Sequence, residues 1–265
     1  IGMTAHSTKF TSSETWFYKA PHDDVVFPYF KKFVKKEGSK VIFVHLLGTH
    51  GAYYMRYPDN YKKFDPDLIC TPECSNIITN NIDYLKKNTT FEKDCPVINM
   101  VKLFAKENNV NINIGSLLLK VKNKKKLVNR SYLINNKGVI VKKYDKIHMF
   151  DVNISKKETH RESDTFEAGK NISLLNINKI NIGFTICYDL RFPNLFRKLA
   201  KRGAQIILMP AAFTVPSGKD HWEVMLRSRA IENSLFLVAT GMGGNHHMNR
   251  KTYGHSLIVN PWGKV

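Results

Sequence analysis

The chain has 265 residues, 43% of them hydrophobic, and a formal net charge of +19. That length and apolar content suffice for one large or two small cored domains and exclude an intrinsically disordered chain. No apolar run reaches the ~18 residues of a membrane span, and Ile1–Thr4 lacks the charged-then-apolar order of a signal peptide, so neither is expected.

The excess charge is mostly Lys scattered among abundant Asn and Ile, without an Arg-rich helix, zinc-finger spacing or RNP-like aromatic pattern. A biased composition accounts for it, and no nucleic-acid partner is expected. Binding through the Lys excess would need that charge gathered into one stripe. The four cysteines, 70, 74, 95 and 187, are too few and too irregular for a disulfide framework, which points to a reducing, cytoplasmic setting. Cys70-x-x-x-Cys74 has no second paired cluster, so no metal site is expected from it.

In chain order, Phe27–Val34 has the three-and-four spacing of a helix, and Lys40–Leu47 reads as a strand closed by Gly48-Thr49-His50-Gly51. An aromatic, basic stretch follows, Tyr53 to Phe64. From Asp67 the text changes. Leu68–Thr71 is a short strand ended by Pro72, with Glu73 behind it, and a polar loop runs to about Asp94. Pro96–Asn108 has helical periodicity; Val110–Val121 and Leu127–Asn135 read as strands around a Lys-rich loop, Lys120–Lys126. Asn135-Asn136-Lys137-Gly138 is a hairpin turn leading to a strand over Val139–Tyr144, with Lys146 just beyond. Residues 152–171 read as a long loop carrying Glu158, Glu162 and Glu167, and Leu174–Ile177 as a strand.

Ile180–Ile186 is a buried-strand pattern, whereas Asn194–Ala200 is helical and stopped by Gly203. Cys187 therefore sits where a strand turns towards a helix. Such an elbow can hold a nucleophile above backbone N–H groups, and nearby cations can lower the thiol pKa. An inert buried cysteine is the competing reading. Ala204–Pro210 and Leu235–Thr240 read as buried strands, His221–Ser234 as an amphipathic helix, and Tyr253–Asn260 as a last strand before Pro261-Trp262-Gly263. Alternating strands and helices without repeats give an α/β (or layered α+β) class.

Three stretches carry a family resemblance: Thr71-Pro72-Glu73, Tyr144–Asp151 with Lys146, and Ile186-Cys187-Tyr188-Asp189-Leu190-Arg191-Phe192-Pro193. In order and spacing they resemble the nitrilase (carbon–nitrogen hydrolase) superfamily over roughly 67–265. His221–Val224, Arg229–Asn233 and Tyr253–Gly263 point to its branch of omega-amidase and deaminated-glutathione amidases. The resemblance implies a four-layer α-β-β-α sandwich, usually a homo-oligomer, hydrolysing a small linear amide, such as an omega-amide of a 2-oxo acid, without a cofactor. It assigns Cys187 as nucleophile, Glu73 as general base and Lys146 as the cation at the oxyanion, with Glu162 and Tyr188 positioning substrate.

Residues 1–66 are read as a separate segment. Val44–Gly51 and Tyr53–Asp59 resemble part of the phosphoethanolamine transferases of the sulfatase superfamily, where the counterpart of His50 lies near zinc. That family's threonine nucleophile and later Asp-His pair are not found here, so His50 alone builds no metal site. The expectation is a chimera joined near Phe64–Asp67, lacking the family's first strand and helix and its C-terminal strands. A catalytically inactive fragment is the alternative to an amidase.

Overall fold

The computed structural model describes residues 41–43, 66–155 and 158–265. The helix expected at Phe27–Val34, His50 and the Tyr53–Asp59 stretch lie outside the described residues.

Two five-stranded sheets stand face to face. The first takes β1 (Val41–Phe43), β2 (Leu68–Cys70), β3 (Asn111–Leu119), β4 (Val128–Ile134) and β5 (Ile140–Asp145), side by side in that order. β1, β2 and β3 run parallel, while β3, β4 and β5 form an antiparallel meander. β1, part of the strand read over Lys40–Leu47, takes the edge of this sheet, with Val41 opposite Leu68. The order of the second sheet is β14 (Leu257–Val259), β11 (Phe236–Gly241), β10 (Ile206–Ala211), β9 (Ile180–Phe184) and β8 (Leu174–Ile177). Its three central strands are parallel and covered on both faces, which explains their continuous apolar text.

Side-chain alternation sorts the core into layers. Leu68 and Cys70 point between the sheets towards Phe184 and Leu208, whereas Ile69 points outward to α2 (Pro96–Glu107), with Ile98, Val101 and Ala105. On the far side, Leu195, Phe196 and Leu199 of α4 (Pro193–Lys201) and Trp222, Leu226 and Ala230 of α5 (Val215–Asn233) close the second sheet. Helix, sheet, sheet and helix make the four layers.

Four stretches differ from the sequence reading. The loop expected before Asp94 contains α1 (Ile82–Asn88), capped by the Asn81 side chain. The loop expected over 152–171 begins with a hairpin, β6 (Asp151–Ser155) and β7 (Glu158–Arg161), followed by the single turn α3 (Glu162–Thr165). Helix α5 starts six residues before His221, because Pro216 stands in its first turn, where a missing N–H costs nothing. The strand expected over Tyr253–Asn260 is two: β13 (Lys251–Tyr253) pairs with β12 (Gly243–Asn245), and β14 follows separately. Gly254 at φ +75° and His255 at φ +61° break the run between them. Among the described residues no helix is long and apolar enough to cross a membrane.

Candidate active site

Strand ends from both sheets converge at one end of the sandwich. Glu73 follows β2, Lys146 follows β5, Cys187 follows β9 and Ala212 follows β10. Ligand-binding groups at the carboxyl ends of parallel strands are the general rule for open α/β sheets.

The turn carrying Glu73 is seated by a β-bulge in β3, where the register slips between Ile114 and Leu117. There Gly115 N donates to Thr71 Oγ1 at 3.0 Å, and Ser116 Oγ accepts from Cys74 N at 2.9 Å. A Cβ at position 115 would lie 2.0 Å from the Thr71 carbonyl oxygen and 2.6 Å from the Pro210 Cβ, so only glycine fits. The Thr240 hydroxyl of β11 donates to the Thr71 carbonyl at 3.0 Å, tying this turn to the second sheet.

Glu73 is buried with three donors around its carboxylate. Oε1 accepts from Asn129 Nδ2 at 2.9 Å and Lys146 Nζ at 3.1 Å, and Oε2 from Ala212 N at 2.8 Å. Lys146 is pinned through its backbone, N to the Asn129 carbonyl and carbonyl to Gly169 N. Its ammonium also donates to both oxygens of Glu162 at 2.9 Å, and Phe150 N donates to Glu162 Oε2 at 2.6 Å. One cation thus sits between two carboxylates out of bulk water.

Cys187 opens a five-residue 3₁₀ turn, Cys187–Arg191, with φ +49°, the left-handed region that a side-chain-bearing residue rarely adopts. Its buried thiol lies within electrostatic reach of both the Glu73 carboxylate and the Lys146 ammonium. The structure therefore brings Glu73, Lys146, Glu162 and Cys187 together. Tyr188 lies beside them with its ring edge-on to Phe150 and Phe192, at 5.1 and 5.6 Å between centroids.

Burial pushes the Cys187 thiol well above its ordinary value, the Glu73 charge adds to this, and Lys146 opposes it only in part. This corrects the expectation of a thiol with lowered pKa. Burial would also raise the Glu73 carboxyl, but the Lys146 charge and the hydrogen bonds from Lys146 and Asn129 outweigh it and hold the group below the usual carboxylate value. Burial depresses the Lys146 ammonium, yet Glu162 and Glu73 together carry it well above the usual lysine value. At neutral pH the cluster is a thiol facing an anionic carboxylate and a fixed cation.

Sequence reasoning missed Asn129, which orients Glu73 from an otherwise ordinary strand pattern. It also passed over Asp189, whose carboxylate accepts from Ile186 N at 2.8 Å. An Asp two residues beyond the Cys, at the start of a turn, is the capping signal that could have found it. Cys70 lies in the inter-sheet core with burial pushing its thiol up. Among the described residues no three His, Cys, Asp or Glu are grouped to hold a metal ion.

A thiol, a carboxylate and an ammonium meet at the strand ends of this two-sheet sandwich, and comparison with known proteins places the chain among hydrolases of carbon–nitrogen bonds. Residues 44–265 match the carbon-nitrogen hydrolase family. The chain is 39% identical over 202 residues to the deaminated glutathione amidase of Yersinia enterocolitica, covering 75% of this chain and 70% of that protein. It is similar to the crystal structure of the C. elegans NitFhit protein, with a TM-score of 0.70 and 34% identity over 78% of this chain. The chain spans about half the length of that NitFhit chain, which covers 50% in the superposition. It is also similar to Saccharomyces cerevisiae Nit3, a member of branch 10 of the nitrilase superfamily (TM-score 0.67, 27% identity, 77% of this chain and 73% of that one). The chain belongs to the carbon–nitrogen hydrolase family. The matched region begins at Val44, inside the segment that sequence reading set apart as 1–66.

Proposed function

We propose that this hydrolase cleaves a linear, carboxylate-bearing amide through a thioester on Cys187, with Glu73 as general base and Lys146 as oxyanion cation. The observation that carries the reading is the convergence of the buried Cys187 thiol, the Glu73 carboxylate and the Lys146 ammonium, with Lys146 Nζ 3.1 Å from Glu73 Oε1. Glu73 takes the thiol proton as sulfur attacks the amide carbon. The tetrahedral oxyanion meets the Lys146 ammonium and the Tyr188 N–H, a first-turn donor with no intrahelical partner. Glu73 returns its proton to the leaving amine as the C–N bond breaks. Water then attacks the thioester, Glu73 takes its proton, and the carboxylic acid leaves with the thiol restored. Glu162 holds Lys146 in place through two hydrogen bonds. No cofactor enters any step.

The substrate's carboxylate has a partner of suitable chemistry. Arg191, in the same turn as Cys187, lies over the Tyr188 and Phe213 rings at 5.8 and 5.9 Å. It forms no carboxylate pair among the described residues. A relative named for deaminated glutathione, itself a carboxylate-bearing amide, supports the same class. The test is release of ammonia or amine from candidate amides by wild type and Cys187→Ala. Turnover is expected only in wild type, and equal release from both would reject the reading.

A homo-oligomer is the second part of this proposal. The outer face of α5 exposes Val224 (60%) and Ile231 (55%) beside Trp262 (84%), along a groove of about 600 Å³ that also bears Glu223 and Arg227. Glu223 and Arg227 pair with each other at 3.1 Å along this helix, and an antiparallel copy of the same helix would set Glu223 of one against Arg227 of the other around the apolar strip. Sedimentation of wild type should give a multimer that Ile231→Asp dissociates; a monomeric wild type rejects it.

A further inference from the structure

One buried carboxylate joins the two halves of the catalytic cluster. Asp189 is fully buried, and four donors meet its two oxygens. Oδ2 accepts from Ile186 N at 2.8 Å and from the Tyr144 hydroxyl at 2.7 Å. Oδ1 meets His148 N at 3.1 Å and His148 Nδ1 at 2.7 Å. A carboxylate has about four acceptor sites and no donor, so its capacity is filled and His148 must carry its proton on Nδ1.

The positions of the donors are what matter. Ile186 immediately precedes Cys187, whereas Tyr144 and His148 flank Lys146 two residues to either side. Lys146 and Cys187 come from different sheets, and β5 shares no ladder with β9. Asp189 therefore links the segment that carries the cation to the turn that carries the sulfur. On the sulfur side it fixes the entry to a residue held at φ +49°. On the cation side the donors stay in their donating forms. Burial, followed by the Asp189 charge, pushes the Tyr144 phenol well above its ordinary value, so it remains protonated. His148 is further held by stacking on Phe192 at 3.6 Å between centroids.

We propose that Asp189 is a positioning residue that sets the distance between the Lys146 ammonium and the Cys187 sulfur. It touches neither substrate nor reacting atoms and acts through Tyr144, Ile186 and His148. Asn at this position keeps the shape but turns an NH₂ donor towards groups that are themselves donors. The inference rests on the proposed thioester mechanism, and its test is chosen so that the two can fail separately.

The test uses Asp189→Asn, Tyr144→Phe and the double variant in the full chain, with two readouts. The first is kcat and KM on an amide turned over by wild type. The second is the rate of Cys187 alkylation by iodoacetamide against pH, read by mass on the Cys187 peptide. Asp189→Asn should lower kcat about 100-fold, the scale of an ångström-sized misplacement, with KM changed less than about three-fold. The pH profile of alkylation should shift, because Lys146 no longer stands at its set distance from the sulfur. Tyr144→Phe should give a smaller loss of the same kind, and the double variant should lose little beyond Asp189→Asn alone. Should Asp189→Asn not fold, Tyr144→Phe and His148→Gln carry the test, each lowering kcat at constant KM. Unchanged kcat and alkylation profile in the folded variants, or losses that multiply in the double variant, overturn the proposal. If wild type turns over no amide, the functional reading fails while the alkylation profiles still decide the role of Asp189.

Discussion

Two clusters of charge occupy the first sheet, built from the same residue types. At the strand ends, Lys146 lies between Glu73 and Glu162 with 2% of its side chain exposed. Towards α2, Arg130 and Lys143 meet Glu92 and Asp145, with 45% of the Lys143 side chain in solvent. In the outer cluster Arg130 grips Asp145 through two nitrogens, and Glu92 takes hydrogen bonds from Arg130 at 3.1 Å and Tyr132 at 2.9 Å. It holds more charged groups than the inner cluster, yet each of those charged side chains is 20–45% exposed to water. The inner cluster has three charged groups, of which Glu73 and Lys146 are at most 5% exposed and Glu162 15%, and a thiol among them. What separates a structural network from a reactive one here is burial and the group that shares it, not the count of ion pairs.

The largest effect is expected from breaking the inner cluster at its cation. Lys146→Ala leaves Glu73 and Glu162 buried without their counter-ion, and removing one partner of a buried pair costs about 3–5 kcal/mol. Loss of the proposed oxyanion cation should lower kcat by about 10²–10³ in whatever folds. The pH dependence should also reverse. In wild type the Glu73 carboxyl is depressed, so its contribution is complete above its unfolded value and lost as pH falls through the folded one. Lys146 is raised, so its contribution is complete below its unfolded value and lost as pH rises through the folded one. Wild-type stability thus has a plateau between the ordinary carboxylate and lysine ranges. In Lys146→Ala the strongest force holding Glu73 down is gone while burial still pushes it up. Its unfolding midpoint in urea should therefore climb as pH falls from 7 towards the carboxylate range. A variant as stable as wild type at pH 7, or one with an unchanged plateau, would place Lys146 in solvent with the outer cluster.

The same contrast shows what the sequence made legible. Glu73, Lys146 and Cys187 each stand just past a strand whose apolar text and terminator are plain, so motif order and strand ends pointed to one end of the molecule. Glu162 came from a family resemblance, because the β6–β7 hairpin leading to it was read as loop: Glu158–Arg161 has no apolar residue, and main-chain pairing with Asp151–Ser155 defines the hairpin. Asn129 was illegible since a strand pattern does not say which polar residue meets a buried acid 56 positions away. The direction of the Cys187 shift was misread for a related reason. Sequence shows that a cation is near, but not that burial of the thiol, and after it the Glu73 charge, outweigh that cation. Likewise Gly254 and His255 look like ordinary strand text until their positive φ values break the run.

The smallest effect is expected from the outer cluster, through Glu92→Gln. Glu92 touches Arg130, Lys143 and Tyr132, more partners than Glu73 has among charged groups, so partner-counting alone would rank it the more damaging change. Its side chain is 30% exposed, however, and exposed pairs are worth at most about 1 kcal/mol. Burial would raise the Glu92 carboxyl, but hydrogen bonds from Lys143 and Tyr132 and the Lys143 charge hold it below 4.5. The contribution is therefore present at neutral pH and lost as pH falls through that depressed value. Glu92→Gln should lower stability by no more than about 1 kcal/mol at pH 7 and low salt, and by less as salt rises. Once pH has fallen through that depressed value the variant and wild type should converge, since both then present a neutral side chain. Amide turnover should not change at all, because no hydrogen bond connects Glu92 to Glu73, Lys146 or Cys187. Denaturation at two salt concentrations beside a turnover assay checks each part. A stability loss that persists in high salt, or any drop in kcat, would make the two clusters one network and undo the contrast between them.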